Sequence, residues 1–178
     1  MRDRLERLYR EHRQGLFTLA LAITRCPNRA EDAVHEAFAR LWESSAHPSD
    51  PVPYAYAAVR HAAIDLARRT AAQAKAETAS IYNGSPGTAG VGILATDTEP
   101  GPDEDAITAE QQRRIRQAVD ALPDAEREAI VLRVYAGLKF EQMAEVLGEP
   151  LPTVASRYRR ALETLSRRIQ GMVEVPRE

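Results

Sequence analysis

Cysteine is almost missing from this chain of 178 residues. The single one, Cys26, excludes an intramolecular disulfide and suits a reducing compartment. Aromatic residues are also scarce, at 6%, so any core must be built mainly from Leu, Ala, Val and Ile. There is no long hydrophobic run. The opening "MRDRLERLYREHRQG" lacks an apolar signal region, and "LFTLALAI" is far too short to span a bilayer. Strand-like alternation is nearly absent. There is no surplus of positive charge either: the formal net charge is −2 and the pI is near 6.1. Together these absences point to an all-α, cytoplasmic protein without a membrane segment. Hydrophobic residues at 44% and charged residues at 28% exclude wholesale disorder, and the length suits one medium domain or two small ones.

What is present is helical periodicity in two blocks. Leu5, Leu8, His12, Leu16, Leu19 and Ile23 share one face of a first helix ending near "RCPNR". A second helix is expected after Asn28, with Val34, Ala37, Phe38 and Leu41 inward and Trp42 near its end. The Pro- and Ser-rich "SSAHPSDPVP" breaks the pattern, and a third helix is expected from Tyr54 to Thr70 with Tyr56, Val59, Ala63 and Leu66 inward. Between Ala71 and Ala106 the composition shifts to Gly, Thr, Pro and Ala with an acidic end. Such a segment gains little burial per residue ordered and reads as a flexible linker. Helices resume near Ile107. The expected organisation is a helical domain over 1–71, a linker over 72–106 and a second helical domain over 107–178.

The second block carries the chemistry. In "FEQMAEVLGEPLPTVASRYRRALETLSRR", Met143, Ala144 and Leu147 form the inner face of one helix, and Gly148 stands where a sharp turn is needed. A second helix follows, with Val154, Tyr158, Ala161, Leu162, Leu165 and Ile169 on one side and Thr153, Ser156, Arg157 and Arg160 on the other. This division suits a helix that packs by one face and enters a major groove by the other. Arginine grips phosphate or the guanine edge with paired hydrogen bonds, and Ser and Thr contact either. Charge is segregated to match: residues 151–170 hold Arg157, Arg159, Arg160, Arg167 and Arg168 against one acid, Glu163.

Taken with the preceding "QAVDALPDAEREAIVLRVYAGLK", this block resembles region four of the extracytoplasmic-function sigma factors, whose helix-turn-helix reads the minus-thirty-five promoter element. The front half resembles region two of the same family. "AEDAVHEAFARLW" is similar to the helix that docks on the clamp helices of bacterial RNA polymerase, and "PYAYAAVRHAAIDLARR" to the helix that reads and helps open the minus-ten element. The resemblance implies a promoter-specificity subunit, not an enzyme, with core RNA polymerase and promoter DNA as partners, an anti-sigma factor as a candidate third partner, no cofactor or metal, and a monomer when free. It assigns minus-thirty-five contacts to Thr153, Ala155, Ser156, Arg157, Arg159 and Arg160. Minus-ten contacts fall to His47, Ser49, Asp50, Tyr54, Arg60, His61 and Arg68. Polymerase docking falls to Glu31, Asp32, His35, Glu36 and Arg40. The chain departs from the family habit at Tyr54 and His61, where Trp and Asn are common. It also has Lys139 where a Ser or Thr commonly caps the first reader helix, and Pro150, Pro152 and Ala155 at the opening of the second.

Three other readings compete. A stand-alone helix-turn-helix regulator accounts for the last seventy or so residues and leaves the first block without a purpose; it predicts specific duplex binding without polymerase. An enzyme would have to use Glu31, Asp32, His35 and Glu36, which lie along one helix with no convergent second group, and no Gly-rich phosphate loop or Cys/His metal spacing accompanies them. An anti-sigma or adaptor protein would bind a sigma factor in place of the polymerase core.

Overall fold

The computed structural model describes residues 2–46, 48–80 and 105–173. His47 and most of the segment assigned to the linker lie outside them. Among the described residues the structure is helical throughout. The first three helices are α1 (Arg2–Thr24), α2 (Pro27–Glu43) and α3 (Pro51–Ser80). After the linker come α4 (Asp105–Asp120) and α5 (Asp124–Ile130), the latter continued by a π-helical turn over Val131–Tyr135, then α6 (Phe140–Leu147) and α7 (Leu151–Val173).

Helices α1, α2 and α3 pack on one another as a three-helix bundle, and the expected stripes supply its core: Leu5, Leu8, Leu16, Leu19, Val34, Phe38, Leu41, Tyr56 and Val59 are all buried. Arg25 turns the chain from α1 into α2 in the left-handed conformation, at φ 56°, with Cys26 half-buried as the residue before Pro27. Pro27 and Pro51 each sit at the start of a helix, where a missing N–H costs nothing. Asp50 precedes Pro51 and accepts a hydrogen bond from the Val52 N–H at 3.0 Å, capping α3. At its other end α3 runs ten residues past the Thr70 expected from periodicity, into the stretch assigned to the linker. The reason is propensity: "AAQAKAETAS" lacks a helical apolar stripe but is rich in alanine, the best helix former.

The second block folds as α4, α5 and α6 packed on α7 or on one another, and α5, α6 and the π turn also press against α1 and α3. As a result Leu132, Leu138, Met143 and Leu147 share one continuous core with Leu16, Tyr56 and Val59. A small second core joins Leu122, Ile130 and Ala161. Gly137 ends the π turn and Gly148 forms the sharp turn between α6 and α7, both at φ 66°. A Cβ in that conformation is strained, so Gly148→Ala is expected to cost about 1 kcal/mol, read as a lower urea midpoint with an unchanged slope.

The missing cap at Lys139 is made good by another residue. The Gln142 side-chain oxygen accepts the Lys139 N–H at 3.0 Å, one half of a capping box, while its amide nitrogen donates to the Asp50 carboxylate at 2.8 Å.

Candidate nucleic-acid interface

The reader helix α7 is placed by its inner face. Val154 and Ala161 are buried, Tyr158 meets the Phe140 ring edge-on with centroids 5.6 Å apart, and the Arg133 guanidinium lies over that Phe140 ring. The opposite face is turned outward: Thr153, Arg159 and Arg160 are exposed, and Ala155 and Ser156 are half-exposed. Ser156 donates its hydroxyl to the Thr153 carbonyl at 2.9 Å, so it enters any contact as an acceptor. Arg157 differs from its neighbours. Its guanidinium meets the Glu149 carboxylate at 2.7–2.9 Å, and the side chain is only 16% exposed. Glu149, in the turn, therefore competes with any phosphate for this arginine.

The residues assigned to the minus-ten element fall into two groups. Ser49, Tyr54, His61 and Arg68 are exposed along α3 and the loop before it. Asp50 and Arg60 are not: Asp50 caps α3 and accepts from Gln142, while Arg60 donates through Nε to Glu128 at 2.6 Å, with side chains only 19% and 11% exposed. The cavity beside Tyr54, walled by Leu5, Leu41, Pro48 and Pro51, has about 10 Å³, room for a single water.

On α2, Glu31, Asp32, His35 and Arg40 are exposed, with Glu36 half-buried and paired with Arg40 one helical turn on. Glu31 and His35 also line a groove of about 480 Å³ whose other wall is Tyr9, Arg13, Gln14 and Phe17 of α1. The sequence reading missed this second wall. The signal was there: in α1 these residues fall off the Leu5–Leu16–Leu19 stripe, so they have to lie at its flank. Among the described residues no cluster of His, Cys, Asp or Glu is arranged to hold a metal, and no helix is long and apolar enough to cross a membrane.

An electrostatic knot joins the two blocks. The Arg127 side chain is buried, with the residue 2% exposed. It donates to the Ala22 carbonyl on α1 at 3.2 Å, to the Leu122 carbonyl at 2.5 Å and to Asp124 at 2.7 Å. The hydrogen bond from Arg127 holds the Asp124 carboxyl below its usual range. Asp120 moves the other way, because burial outweighs the pull of Arg25 and Arg127. Arg25 bridges from the α1–α2 turn to Asp120 at 3.8 Å and Asp124 at 3.6 Å. Burial and the like charge of Arg127 lower its pKa.

A three-helix bundle followed by four helices ending in a helix-turn-helix, with arginines on the outer face of the last helix, defines a protein of the helix-turn-helix class. The chain belongs to the sigma-70 family: the family profile for sigma-70 region 2 matches residues 8–73, and that for sigma-70, region 4 matches residues 112–165. Among its relatives is the probable RNA polymerase sigma factor RfaY of Xanthomonas campestris pv. campestris, 30% identical over 83% of this chain; the match spans only 36% of that longer protein. The ECF RNA polymerase sigma factor SigK of Mycobacterium ulcerans is 27% identical, over 92% of this chain and 84% of its own length. In fold, the chain is similar to the sigma factor RpoE of Bartonella quintana, solved in complex with the anti-sigma factor NepR. That comparison has a TM-score of 0.68 and 18% identity, over 98% of each chain.

Proposed function

We propose that this protein is an extracytoplasmic-function sigma factor: the subunit that brings bacterial core RNA polymerase to a restricted set of promoters and helps open them, while the polymerase performs the chemistry. It works in the cytoplasm and has no catalytic site of its own. The observation that carries the reading is the occurrence, in one chain and in family order, of a region-two match over residues 8–73 and a region-four match over residues 112–165. A stand-alone regulator would need only the second.

In this reading the domain over 1–71 docks on polymerase through Glu31, Asp32, His35, Glu36 and Arg40, and meets the minus-ten element through His47, Ser49, Asp50, Tyr54, Arg60, His61 and Arg68. The domain over 107–178 reads the minus-thirty-five element with Thr153, Ala155, Ser156, Arg157, Arg159 and Arg160, and residues 72–106 join the two. The exposure of Thr153, Arg159 and Arg160 supports the second assignment. An anti-sigma factor is a further partner; the relative of similar fold was solved with one bound. The modest charge of the whole chain fits a subunit that leans on polymerase for most DNA contacts, since nonspecific affinity comes from neutralising phosphates.

The test is binding to core polymerase with and without a competing sigma factor, followed by run-off transcription on genomic fragments. Binding that a competitor displaces supports the reading. A folded chain that ignores polymerase yet selects duplex DNA by itself would turn it into the regulator. Within the reader helix, Arg160→Ala is expected to lower promoter use about tenfold or more with polymerase binding intact, the loss of one good base or phosphate contact at about 1–3 kcal/mol. Arg157→Ala should cost less, because Glu149 already holds that guanidinium.

A further inference from the structure

The turn of the helix-turn-helix places an acid where the reader helix is about to begin. Gly148, at φ 66°, ends α6, and the Glu149 N–H donates to the Ala144 carbonyl at 3.1 Å. The Pro150 carbonyl then accepts from the Thr153 and Val154 N–H groups at 2.9 and 3.2 Å, which starts α7. The backbone of Glu149 is thus held on both sides, and its side chain reaches along α7 to a residue eight positions on. There Arg157 Nη2 stands 2.9 Å from one carboxylate oxygen, Oε1, and 2.7 Å from the other, Oε2.

Arg157 belongs to the outer face of the helix. Thr153, Arg157 and Arg160 are spaced four and three apart, so they line up along one side. Thr153 and Arg160 are exposed, whereas the Arg157 side chain is mostly covered and paired with the carboxylate in the turn. The first ten residues of α7 contain Arg157, Arg159 and Arg160 and no acid, so the anion that meets Arg157 comes from outside the helix. As a structural staple the pair is poor. Only Oε1 takes a hydrogen bond; Oε2 is buried and receives none, and a buried acceptor without a donor offsets the little that an ion pair near the surface adds. Its larger consequence is electrostatic: one of three cations in the opening turns of the helix is neutralised before DNA arrives.

We infer that Glu149 is a positioning residue that keeps Arg157 off the DNA backbone, so that the reader grips phosphates of any sequence weakly and fills only its best sites. This rests on the proposed role of α7 as the DNA reader and adds to it a residue outside that helix. Nonspecific affinity follows the number of phosphates neutralised, each contributing about 0.9 to the salt slope. A guanidinium already on a carboxylate adds nothing to that number until the pair breaks. The carboxylate is an effective competitor because, like phosphate, it is an oxyanion that takes charge-assisted hydrogen bonds at about 2.7–2.9 Å. Releasing Arg157 adds one contact at every site alike. Strong sites are already full, so the gain falls on the weak ones and the promoter set widens.

The experiment measures binding of the full chain to a short random-sequence duplex across a salt series. It compares the wild type with Glu149→Gln, Glu149→Ala, Arg157→Ala and a double variant joining Glu149→Gln to Arg157→Ala. Circular dichroism checks that each keeps its helices; should one Glu149 variant unfold, the other decides. Both single Glu149 variants are expected to bind the duplex about fivefold to tenfold more tightly at 0.1 M salt, with a salt slope steeper by about 0.9. The double variant should return to the affinity of Arg157→Ala. In run-off transcription with core polymerase, the Glu149 variants should use more genomic fragments at an unchanged yield from the strongest one. A residue that only braces the turn would move stability and leave the slope alone. Glu149 variants that bind no tighter, an unchanged slope, or a gain of undiminished size in the double variant would each overturn the inference. If no folded chain bound duplex even at low salt, the assignment of α7 as reader would fall and the inference with it. Duplex bound by every chain but core polymerase by none would instead sink the sigma-factor reading, while the salt slopes would still decide the role of Glu149.

Discussion

Arg127→Met is expected to remove about 3–5 kcal/mol of stability, the cost typical of breaking a buried, hydrogen-bonded charge. Total stabilities of single domains are only about 5–15 kcal/mol, so the variant should lie near the edge of folding at 37 °C. The cause is the number of groups that one guanidinium satisfies. It closes the α4–α5 turn through the Leu122 carbonyl and Asp124, and it ties that turn to α1 through the Ala22 carbonyl. Methionine fills much of the volume but leaves those carbonyls buried without a donor. Arg127→Lys should rescue little, because an ammonium lacks the flat fork that reaches several acceptors at once. Urea denaturation followed by circular dichroism measures both variants. A loss under about 1 kcal/mol for the methionine variant would mean that water replaces the guanidinium and that the knot contributes little.

Reversing the charge at Glu31 and Asp32 together is expected to weaken core-polymerase binding about a hundredfold, close to 3 kcal/mol. Both carboxylates are exposed on α2, whereas Glu36 is half-buried and already partnered by Arg40, so Glu36→Arg should do less. Helix α2 buries its other face on Val34, Ala37, Phe38 and Leu41, and surface substitutions opposite that stripe should leave the melting temperature nearly unchanged. A competition assay with a second sigma factor reads the affinity. The salt dependence discriminates further: if the docking face is acidic, wild-type affinity falls with added salt and the reversed variant loses that slope. Reversal without effect would shift attention to the other wall of the groove, where Arg13 and Phe17 lie.

Much of the architecture was legible because it is written in local signals. The stripes of α1 and α2 repeat at the helical period, and Gly148 takes the left-handed turn that other residues resist, whereas α2 and α3 begin at Pro27 and Pro51, ahead of the starts expected after Asn28 and at Tyr54. Where the signal was not periodic, the reading stopped early: α3 continues to Ser80 on alanine propensity alone, with no apolar stripe to announce it. The cap of α6 was sought at Lys139 and found at Gln142, three residues on, because a side chain reaching back can replace one reaching forward.

By itself the sequence determined the helical class, the helix-turn-helix with its arginine face, and the two-part order that marks the family. Each of these depends on residues a few positions apart, where the period of the helix dictates which side chains share a face. Only the tertiary structure decided which of the charged groups are available. Arg60 and Arg160 read alike along the chain, yet the first is held by Glu128 and the second lies exposed. Asp50 was assigned with its neighbours to the minus-ten contacts, and it caps α3 and bonds Gln142. Those partners are 68 and 92 residues apart. No periodicity links positions so distant; the pairing arises when two apolar faces meet and bring whatever polar groups border them within reach.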